Sequence, residues 1–178
     1  MSNIAIKKIS LKEINQLQKI SRKTFQETFS ESNSKENMNS YLEKAFSNEK
    51  LTTELTDKNS EFYFATLENK VIGYLKINFA EAQTELKDSN ALEIERIYVS
   101  KEFHGKNIGQ LLYEKAIERA KQQNSQYVWL GVWEENRKAI RFYTKNGFVK
   151  FDKHFFKLGN DVQTDIMMKL KLDNSNKN

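Results

Sequence analysis

The sequence predicts an α/β protein in which helices flank one mixed, mostly antiparallel and twisted sheet. Helical patterns come first, alternating strand patterns follow, and the chain then runs strand, loop, helix, strand, helix and two closing strands. This order differs from the regular strand–helix alternation of a doubly wound nucleotide-binding fold. We expect a single domain over residues 1–172 and a flexible tail over 173–178.

Two helices are predicted near the N-terminus. Ser10 is a suitable N-cap for a helix over 11–29, and Ser34 for a second helix that ends at residue 46. Apolar side chains recur at helical spacing in the first of them: Leu11, Ile14, Leu17, Ile20 and Phe25. Residues 51–55 are expected to add one short turn.

Eight further elements follow from periodicity and turn residues. Strands are predicted over 62–67, 71–79, 91–99 and 126–133, with a closing pair over 148–156 and 162–172. Helices are predicted over 107–122 and 135–146. The turn at 158–161 joins the closing strands.

Composition excludes several classes of protein. The chain has no cysteine, so disulfides, thiolate zinc sites and a cysteine nucleophile are excluded, and its two histidines, His104 and His154, are too few for a metal cluster. No apolar run approaches the roughly 20 residues of a membrane span, and the N-terminus lacks a signal-peptide core. We therefore expect a cytoplasmic protein. The net charge of +5 is dispersed, which disfavours a nucleic-acid surface.

A glycine-bearing loop precedes the helix at 107–122. Its sequence, "FHGKNIGQ", fits neither G-x-G-x-x-G nor G-x-x-x-x-G-K-[ST]. Backbone N–H groups between Gly105 and Gln110 would nevertheless point into a concavity at the positive end of a helix dipole, beside the charge of Lys106. The loop alone leaves two alternatives, a pyrophosphate site and an ordinary turn.

A second segment favours the pyrophosphate site over the ordinary turn. In "WEENRKAIRFYTKNGFVKF", Asn136 is followed at fixed spacing by Ala139, Phe142 and Tyr143, and then by Gly147 and Phe148. Together with the loop and the strand before it, this pattern resembles the GCN5-related N-acetyltransferase superfamily. The segments "TFQETF", "ENMNSYLEKAF", "LEIERIYV", "WLGVWE" and "QTDIMM" further resemble the PaiA-type polyamine N-acetyltransferases.

The resemblance implies an enzyme that uses acetyl-CoA and no metal. The implied acceptor is a small polyamine such as spermidine or spermine. Its amine would attack the acetyl thioester directly, without a covalent intermediate on the protein. Another amine acceptor (a different small amine, an aminoglycoside or a protein amino group) and a non-catalytic CoA-sensing module remain alternatives. A homodimer is one assembly to be expected.

The family's cofactor-binding positions can be carried over residue by residue. The backbone of Ile97, Tyr98 and Val99 would hold pantetheine and the oxyanion, and Asn136 and Tyr143 would also contact CoA. The implied pyrophosphate loop comprises His104, Gly105, Lys106, Asn107, Ile108, Gly109 and Gln110. His104 replaces the usual Gln or Arg, and Asn107 replaces a glycine. Since Asn tolerates a left-handed backbone and His can donate to phosphate, we expect weaker binding rather than loss of the site.

Three residues are candidates for catalysis. Tyr143 falls where the family places the general acid for the thiolate; its alternative is a core ring with its hydroxyl at the rim. For the base we expect Glu93, with Glu95 as runner-up; strand alternation places both on one face with Ile97 and Val99. A solvated strand face is the alternative for both glutamates.

Other positions carry weaker expectations. Gly131 would let its strand separate from its parallel neighbour and open a slot for pantetheine. One of Trp129 and Trp133 is expected in the core and the other at the acceptor cleft, whereas His154 is expected to be an ordinary strand residue. Phe25, Phe29 and Tyr41 are expected mainly in the core, with lining of the acceptor site as their alternative.

Overall fold

The computed structural model describes residues 3–173 and consists of one seven-stranded sheet with helices on both faces. The strands, in chain order, are β1 (Ile4–Lys8), β2 (Ser60–Leu67), β3 (Lys70–Phe79), β4 (Ala91–Val99), β5 (Tyr127–Trp133), β6 (Val149–Leu158) and β7 (Asp161–Lys171). They lie in the order β1-β2-β3-β4-β5-β7-β6, and β4–β5 is the parallel pair. The predicted mixed, mostly antiparallel sheet is confirmed. Of the predicted tail at 173–178, all but Asp173 lies outside the described residues.

Five α-helices are described within residues 3–173: α1 (Ile14–Phe29), α2 (Lys35–Ala45), α3 (Asn48–Thr56), α4 (Ile108–Gln122) and α5 (Arg137–Lys145). Both predicted N-caps are confirmed. Ser10 caps a 3₁₀ turn that leads into α1, and the hydroxyl of Ser34 accepts a hydrogen bond from the amide of Asn37 at 3.1 Å.

Two elements differ from the prediction. The expected short turn at 51–55 is the nine-residue helix α3, because Ser47 caps it through the amide of Lys50 at 3.1 Å. The strand β1 was not predicted at all. It is a short edge strand that alternates for only five residues, and its antiparallel pairing with β2, rather than its own pattern, makes it a strand.

The sheet separates two cores. On one face α1, α2 and α3 bury aromatic and aliphatic side chains such as Phe25 and Phe46 against Phe62 and Tyr74 of the sheet. On the other face α4 and α5 pack against the remaining strand side chains, with Leu112 fully buried in that core. Helices on both faces leave the sheet open only where its strands separate.

That opening lies between β4 and β5. The two strands pair over three positions only, from Ala91 opposite Tyr127 to Glu93 opposite Trp129. Beyond this point β4 continues along β3 as far as Val99, while β5 continues along β7 as far as Trp133. The separation predicted around Gly131 is therefore present, and it opens at the carboxyl ends of the parallel pair, where open α/β sheets bind ligands.

A β-bulge in β4 changes the direction of its side chains. Lys76 of β3 pairs with Arg96, whereas the next residue, Ile77, pairs with Ile94, which leaves Glu95 as an extra residue. The expectation that Glu93 and Glu95 share a face with Ile97 and Val99 is therefore wrong. Both glutamates contact Asn78, but Ile97 and Val99 pack into the core beneath α4 and α5.

Candidate functional site

The opening between β4 and β5 forms a cleft with a volume of about 310 Å³. Its walls come from α1, α2, β4, β5, α5, β6 and β7, so it runs through the sheet between the two helical layers. A second cavity of about 410 Å³ adjoins it and shares Trp133 and Asn136. Val99 and His104 line this second cavity. Residues predicted from distant parts of the sequence thus meet around two adjoining cavities.

Tyr143 lies on α5 and lines the cleft with only 6% of its surface exposed. Its ring packs against Phe148, with centroids 5.6 Å apart, and burial raises the pKa of its hydroxyl well above the ordinary value. Both features expected of this residue are present, a ring in the core and a place at the cleft. At neutral pH the phenol is protonated and can act as a proton donor.

Asn136 is the N-cap of α5. Its side-chain oxygen accepts a hydrogen bond from the backbone amide of Ala139 at 3.2 Å, and its backbone amide donates to the carbonyl of Trp133 at 2.9 Å. The side chain therefore fixes the start of the helix that carries Tyr143 and at the same time lines both cavities.

The loop before α4 has the backbone that an anion site requires. Asn107 is left-handed, with φ 63° and ψ 13°, as its replacement of a glycine led us to expect, and Gly105 has φ 77°. In the described structure no side chain caps α4, and the first bond of the helix joins the amide of Leu111 to the carbonyl of Asn107 at 3.3 Å. The amides of the first turn, which includes Ile108 and Gly109, are thus oriented away from the helix toward the loop.

Two side chains of this loop have partners that the sequence did not indicate. Gln110 donates to the side-chain oxygen of Asn146 at 3.1 Å and so bridges α4 to the end of α5. The Lys106 ammonium lies 5.1 Å from the centre of the Phe103 ring. Besides its backbone, the loop thus presents the positive charge of Lys106.

His104 has partners at both ring nitrogens. Nε2 lies 2.7 Å from the carbonyl oxygen of Val99, and Nδ1 lies 3.3 Å from the ammonium of Lys138. Since an ammonium can only donate, Nδ1 is the acceptor and Nε2 carries the hydrogen. The hydrogen bond that we expected His104 to donate to a phosphate is donated within the chain, to one of the predicted pantetheine-binding residues.

The predicted backbone rail lies on the edge of β4 that β5 leaves uncovered. The pairing with β5 ends at Glu93, so Ile97, Tyr98 and Val99 have a β-sheet neighbour only on the β3 side. Tyr98 lines the cleft and stacks on Tyr74 with ring centroids 6.0 Å apart. An extended thioester arm could hydrogen-bond along this edge as an added strand does.

Glu93 is the buried carboxylate of the site, with 3% of its surface exposed. Its oxygens accept hydrogen bonds from Asn78 Nδ2 at 3.0 Å, from the amide of Thr84 at 2.9 Å and from the Thr84 hydroxyl at 2.5 Å. Burial raises its pKa, and the nearby charge of Glu95 adds to this, against the opposing effect of the hydrogen bonds from Asn78 and Thr84.

Glu95 has the opposite electrostatic setting. Burial alone would raise its pKa, but the charges of Arg96 and Lys76 outweigh burial and hold the pKa at about 2. Lys76 Nζ lies 2.5 Å from one oxygen of Glu95, and Arg96 lies 3.2 Å from the other. Both cations also pair with Glu54 of α3, so Glu95 belongs to an ion-pair network. Of the two glutamates, Glu93 has the basicity suited to a proton acceptor.

The structure adds residues that the sequence did not single out. Thr84 and Glu85 belong to the connection between β3 and β4, which Gln83 fastens to the buried Trp129 through a hydrogen bond of 2.6 Å. The acidic composition of this connection was its only sequence signal. Trp129 is in the core, as expected of one tryptophan, but both Trp129 and Trp133 line the cleft. Phe25, Phe29 and Tyr41 combine core packing with lining of the cleft.

His154 is not an ordinary strand residue. Its Nδ1 lies 3.3 Å from a carboxylate oxygen of Glu85, and its Nε2 lies 3.5 Å from Asp165, all three of which line the cleft. A side chain at Gly131 would reach the imidazole, since a Cβ there would lie 3.0 Å from its Cε1. Gly131 thus makes room for this ring as well as lying where the strands separate.

Residues 3–173 contain no group of three His, Cys, Asp or Glu side chains arranged to hold a metal ion. In the same range no helix combines the length and apolar character needed to cross a membrane.

Comparison with known proteins identifies relatives along the whole chain. The model of the acetyltransferase (GNAT) family matches residues 14–148. An uncharacterized N-acetyltransferase from the pepI 3′ region of Lactobacillus delbrueckii subsp. lactis is 41% identical over 172 residues, which cover 97% of this chain and 99% of the relative. The spermidine N(1)-acetyltransferase of Thermoplasma acidophilum is 27% identical over 150 residues, covering 82% of this chain and 88% of that enzyme.

Solved structures of other acetyltransferases have a similar fold. The PaiA N-acetyltransferase from Thermoplasma acidophilum in complex with coenzyme A superposes with a TM-score of 0.80 at 25% identity, covering 96% of this chain and 99% of that one. A probable acetyltransferase from Staphylococcus epidermidis has a TM-score of 0.77 at 16% identity and covers 96% of this chain and 100% of its own, which shows a shared fold.

Proposed function

Because this chain belongs to the acetyltransferase (GNAT) family and is an acetyl-CoA-dependent N-acetyltransferase, we propose that it acetylates a small polyamine such as spermidine or spermine. The observation that carries the proposal is the negative charge of the cleft beside the predicted acid and base. A relative whose name specifies spermidine as its substrate supports the same acceptor class.

The cleft is suited to a cationic acceptor. Four carboxylates line it, those of Glu85, Glu93, Glu95 and Asp165, against one guanidinium, that of Arg96. Glu95 and Arg96 neutralise each other at 3.2 Å. Within residues 3–173 no lysine or arginine pairs with the other three carboxylates. An amine that is protonated at pH 7 would be drawn to these charges.

The apolar walls fit the rest of a polyamine. Phe29 and Trp133 lie together, with ring centroids 5.5 Å apart, and Tyr41 lies 5.7 Å from Phe156. All four rings line the cleft. Such rings cover methylene segments and attract ammonium groups through their faces, whereas the carboxylates pair with the charged ends. A polyamine alternates these two chemical features.

The described residues fit acetyl-CoA. Anionic phosphates require free backbone donors at a helix N-terminus, and the uncapped first turn of α4, with left-handed Asn107 before it, offers them. Ile108, Gly109 and Gln110 would hold the pyrophosphate there, with Gly105 and Lys106 alongside. The uncovered edge of β4 at 97–99 would hold the pantetheine arm.

The chemistry follows from the two groups that can move protons. Acetyl-CoA supplies the acetyl thioester, whose C–S bond breaks as the C–N bond to the amine forms. Glu93 accepts the proton that the ammonium must lose, directly or through one water, because its raised pKa brings its basicity closer to neutral pH. Tyr143 donates its hydroxyl proton to the leaving sulfur and recovers a proton from solvent.

An acceptor screen tests the proposal. The purified protein is incubated with acetyl-CoA and, separately, spermidine, spermine, a monoamine, an aminoglycoside or a peptide with a free N-terminus, and thiol release is recorded. We expect release with spermidine or spermine and only background release without an amine. Activity confined to the aminoglycoside or the peptide would refute the polyamine acceptor while leaving the acetyltransferase intact.

A further inference from the structure

Three side chains of the cleft have no part in the proton transfers described above. Glu85 lies on the β3–β4 connection, His154 on β6 and Asp165 on β7, and they come together although 80 residues separate the first from the last. They are partly open to solvent, with side-chain exposures of 36%, 25% and 16% in that order. A ligand in the cleft can therefore reach them.

The cluster is built into the fold. His154 and Asp165 are direct partners across the β6–β7 ladder, which fixes the distance between them. Glycine at position 131 leaves the space that the imidazole occupies, and a Cβ there would also lie 3.5 Å from a carboxylate oxygen of Asp165. Glu85 follows Thr84, whose amide and hydroxyl are both bound to Glu93. Its backbone is thus anchored next to the reacting centre.

The cluster has too few hydrogen-bond donors for its two carboxylates. The imidazole nitrogens lie 3.3 Å from Glu85 and 3.5 Å from Asp165, but within residues 3–173 the buried Nδ1 of His154 has no hydrogen-bond partner. A neutral imidazole carries a single N–H, so it can donate to only one of the two. The other carboxylate then faces the cleft without a donor from this ring. Burial raises the pKa of Asp165, as expected for a carboxylate short of compensating charge.

The charged groups around the ring are few. Glu85 faces it from the connection and Asp165 from β7, while β5 contributes Gly131 and Trp133, which do not titrate; Glu93 of β4 lines the same cleft. The two charged groups within 4 Å of the ring nitrogens, Glu85 and Asp165, are thus both acids. A donor that enters this space is favoured if it is cationic and has several hydrogens, which are the properties of an ammonium group.

We propose that Glu85 and Asp165 form a second ammonium site, positioned by His154, which binds the distal amine of the acceptor while the reacting amine lies by Glu93 and Tyr143. The inference rests on the proposed polyamine acceptor and makes it more specific. The enzyme would select acceptors with two cationic groups, because a monoamine fills the reacting position and leaves the second site empty. His154 is a positioning residue, since it holds the two carboxylates and does not touch the transferred acetyl group.

The test compares two acceptors in one set of variants. The kcat/KM values for spermidine and for an alkyl monoamine are measured for the unchanged protein, for Asp165→Asn and for Glu85→Gln. We expect Asp165→Asn to lower kcat/KM for spermidine at least tenfold, mainly through KM, and to leave the monoamine value and the KM for acetyl-CoA within twofold. Glu81→Gln is the matched control, because Glu81 is an exposed acid of the same connection, 80% exposed, outside the cleft.

His154→Gln separates positioning from a purely structural role. Its expected effect is a higher KM for spermidine at unchanged kcat and unchanged melting temperature; a loss of kcat alone would contradict the positioning role. Should Asp165→Asn fail to fold, Glu85→Gln decides the inference, because Glu85 is more exposed than Asp165. The deciding quantity is again the ratio of the kcat/KM for spermidine to that for the monoamine.

The failures of the two proposals are distinguishable. If the unchanged protein releases no thiol with any polyamine yet acetylates another amine, the proposed acceptor class fails. If it acetylates spermidine and both carboxamide variants keep the spermidine-to-monoamine ratio of the unchanged protein, the polyamine acceptor stands and the second ammonium site is refuted.

Discussion

The carboxylates of Glu93 and Glu95 accept hydrogen bonds from one and the same nitrogen, Nδ2 of Asn78, at 3.0 and 2.6 Å. Despite this shared donor, the pKa of Glu93 is raised and that of Glu95 is lowered to about 2. The difference arises because the bulge places Glu95 beside Lys76 and Arg96, whereas Glu93 is bound by neutral donors alone. Strand β4 thus carries two carboxylates with different properties. Glu93 is suited to proton transfer, and Glu95 forms buried ion pairs.

Replacing Glu93 by Gln should lower kcat/KM about 100-fold, the usual size of a general-base contribution, and remove the acidic limb of the pH–rate profile. The same change should raise the melting temperature at pH 7. A carboxyl group whose pKa is raised by folding costs stability once the pH exceeds its unfolded pKa, and this cost disappears in acid, where both states are protonated.

Rate assays across pH and thermal unfolding at pH 7 and pH 3 measure both effects. Glu43→Gln, at an exposed position of α2, provides the control and should alter neither. An unchanged acidic limb in the Glu93 variant would remove this residue from the role of base.

Replacing Glu95 by Gln should destabilise the fold by about 3 kcal/mol, because the cations of Lys76 and Arg96 keep their burial but lose a partner. The lowered pKa fixes the pH dependence. The stabilisation is fully present above the unfolded value, near pH 4.5, and is lost as the pH falls toward 2.

Denaturant unfolding at pH 7 and at low pH measures this difference. The matched control is Glu118→Gln, which removes an exposed pair with Lys115 at 2.7 Å and should barely move the unfolding midpoint. Equal stability of the Glu95 variant and the unchanged protein would show that the ion pairs of Glu95 do not stabilise the fold.

Tyr143→Phe should lower kcat about 100-fold while the KM for acetyl-CoA changes less than twofold, because the ring remains packed and only the proton donor is lost. Thiol release in steady state provides both constants. Tyr127→Phe removes a hydroxyl that is bound to Asp88 at 2.7 Å, outside the cleft, and should leave the rate unchanged. If kcat survives in Tyr143→Phe, solvent or another group protonates the sulfur.

The two left-handed asparagines at the ends of α4 allow a controlled test of the anion loop. Asn107 precedes the helix with φ 63°, and Asn124 follows it with φ 57°. Alanine at either position should cost about 1 kcal/mol of stability, since a Cβ without a compensating side chain disfavours this backbone. Only Asn107→Ala should also raise the KM for acetyl-CoA.

Asn107→Gly completes that comparison, because glycine adopts the left-handed conformation freely and should preserve or lower the KM for acetyl-CoA. Equal effects of the two alanine variants on this KM would contradict a role of the loop in cofactor binding. The expected cytoplasmic location and homodimer stay predictions; size-exclusion chromatography with light scattering tests the dimer.

Local patterns of the sequence determined much of this protein. The caps at Ser10 and Ser34, the left-handed turn at Asn107 and the spacing from Asn136 to Tyr143 depend on residues close together in the chain, so they could be predicted. The predicted fold class is confirmed for the same reason. Strand β1 escaped prediction because its conformation depends on pairing with β2, more than 50 residues away.

Only the tertiary structure decided the chemistry of individual carboxylates. Alternation assumes a period of two, and a bulge inserts one residue, so the pattern could not show that Ile97 points away from Glu93. The pKa values of Glu93 and Glu95 depend on burial and on charges brought in by other strands. His154 gained its place beside Asp165 in the same way, through a strand pairing that no local pattern contains.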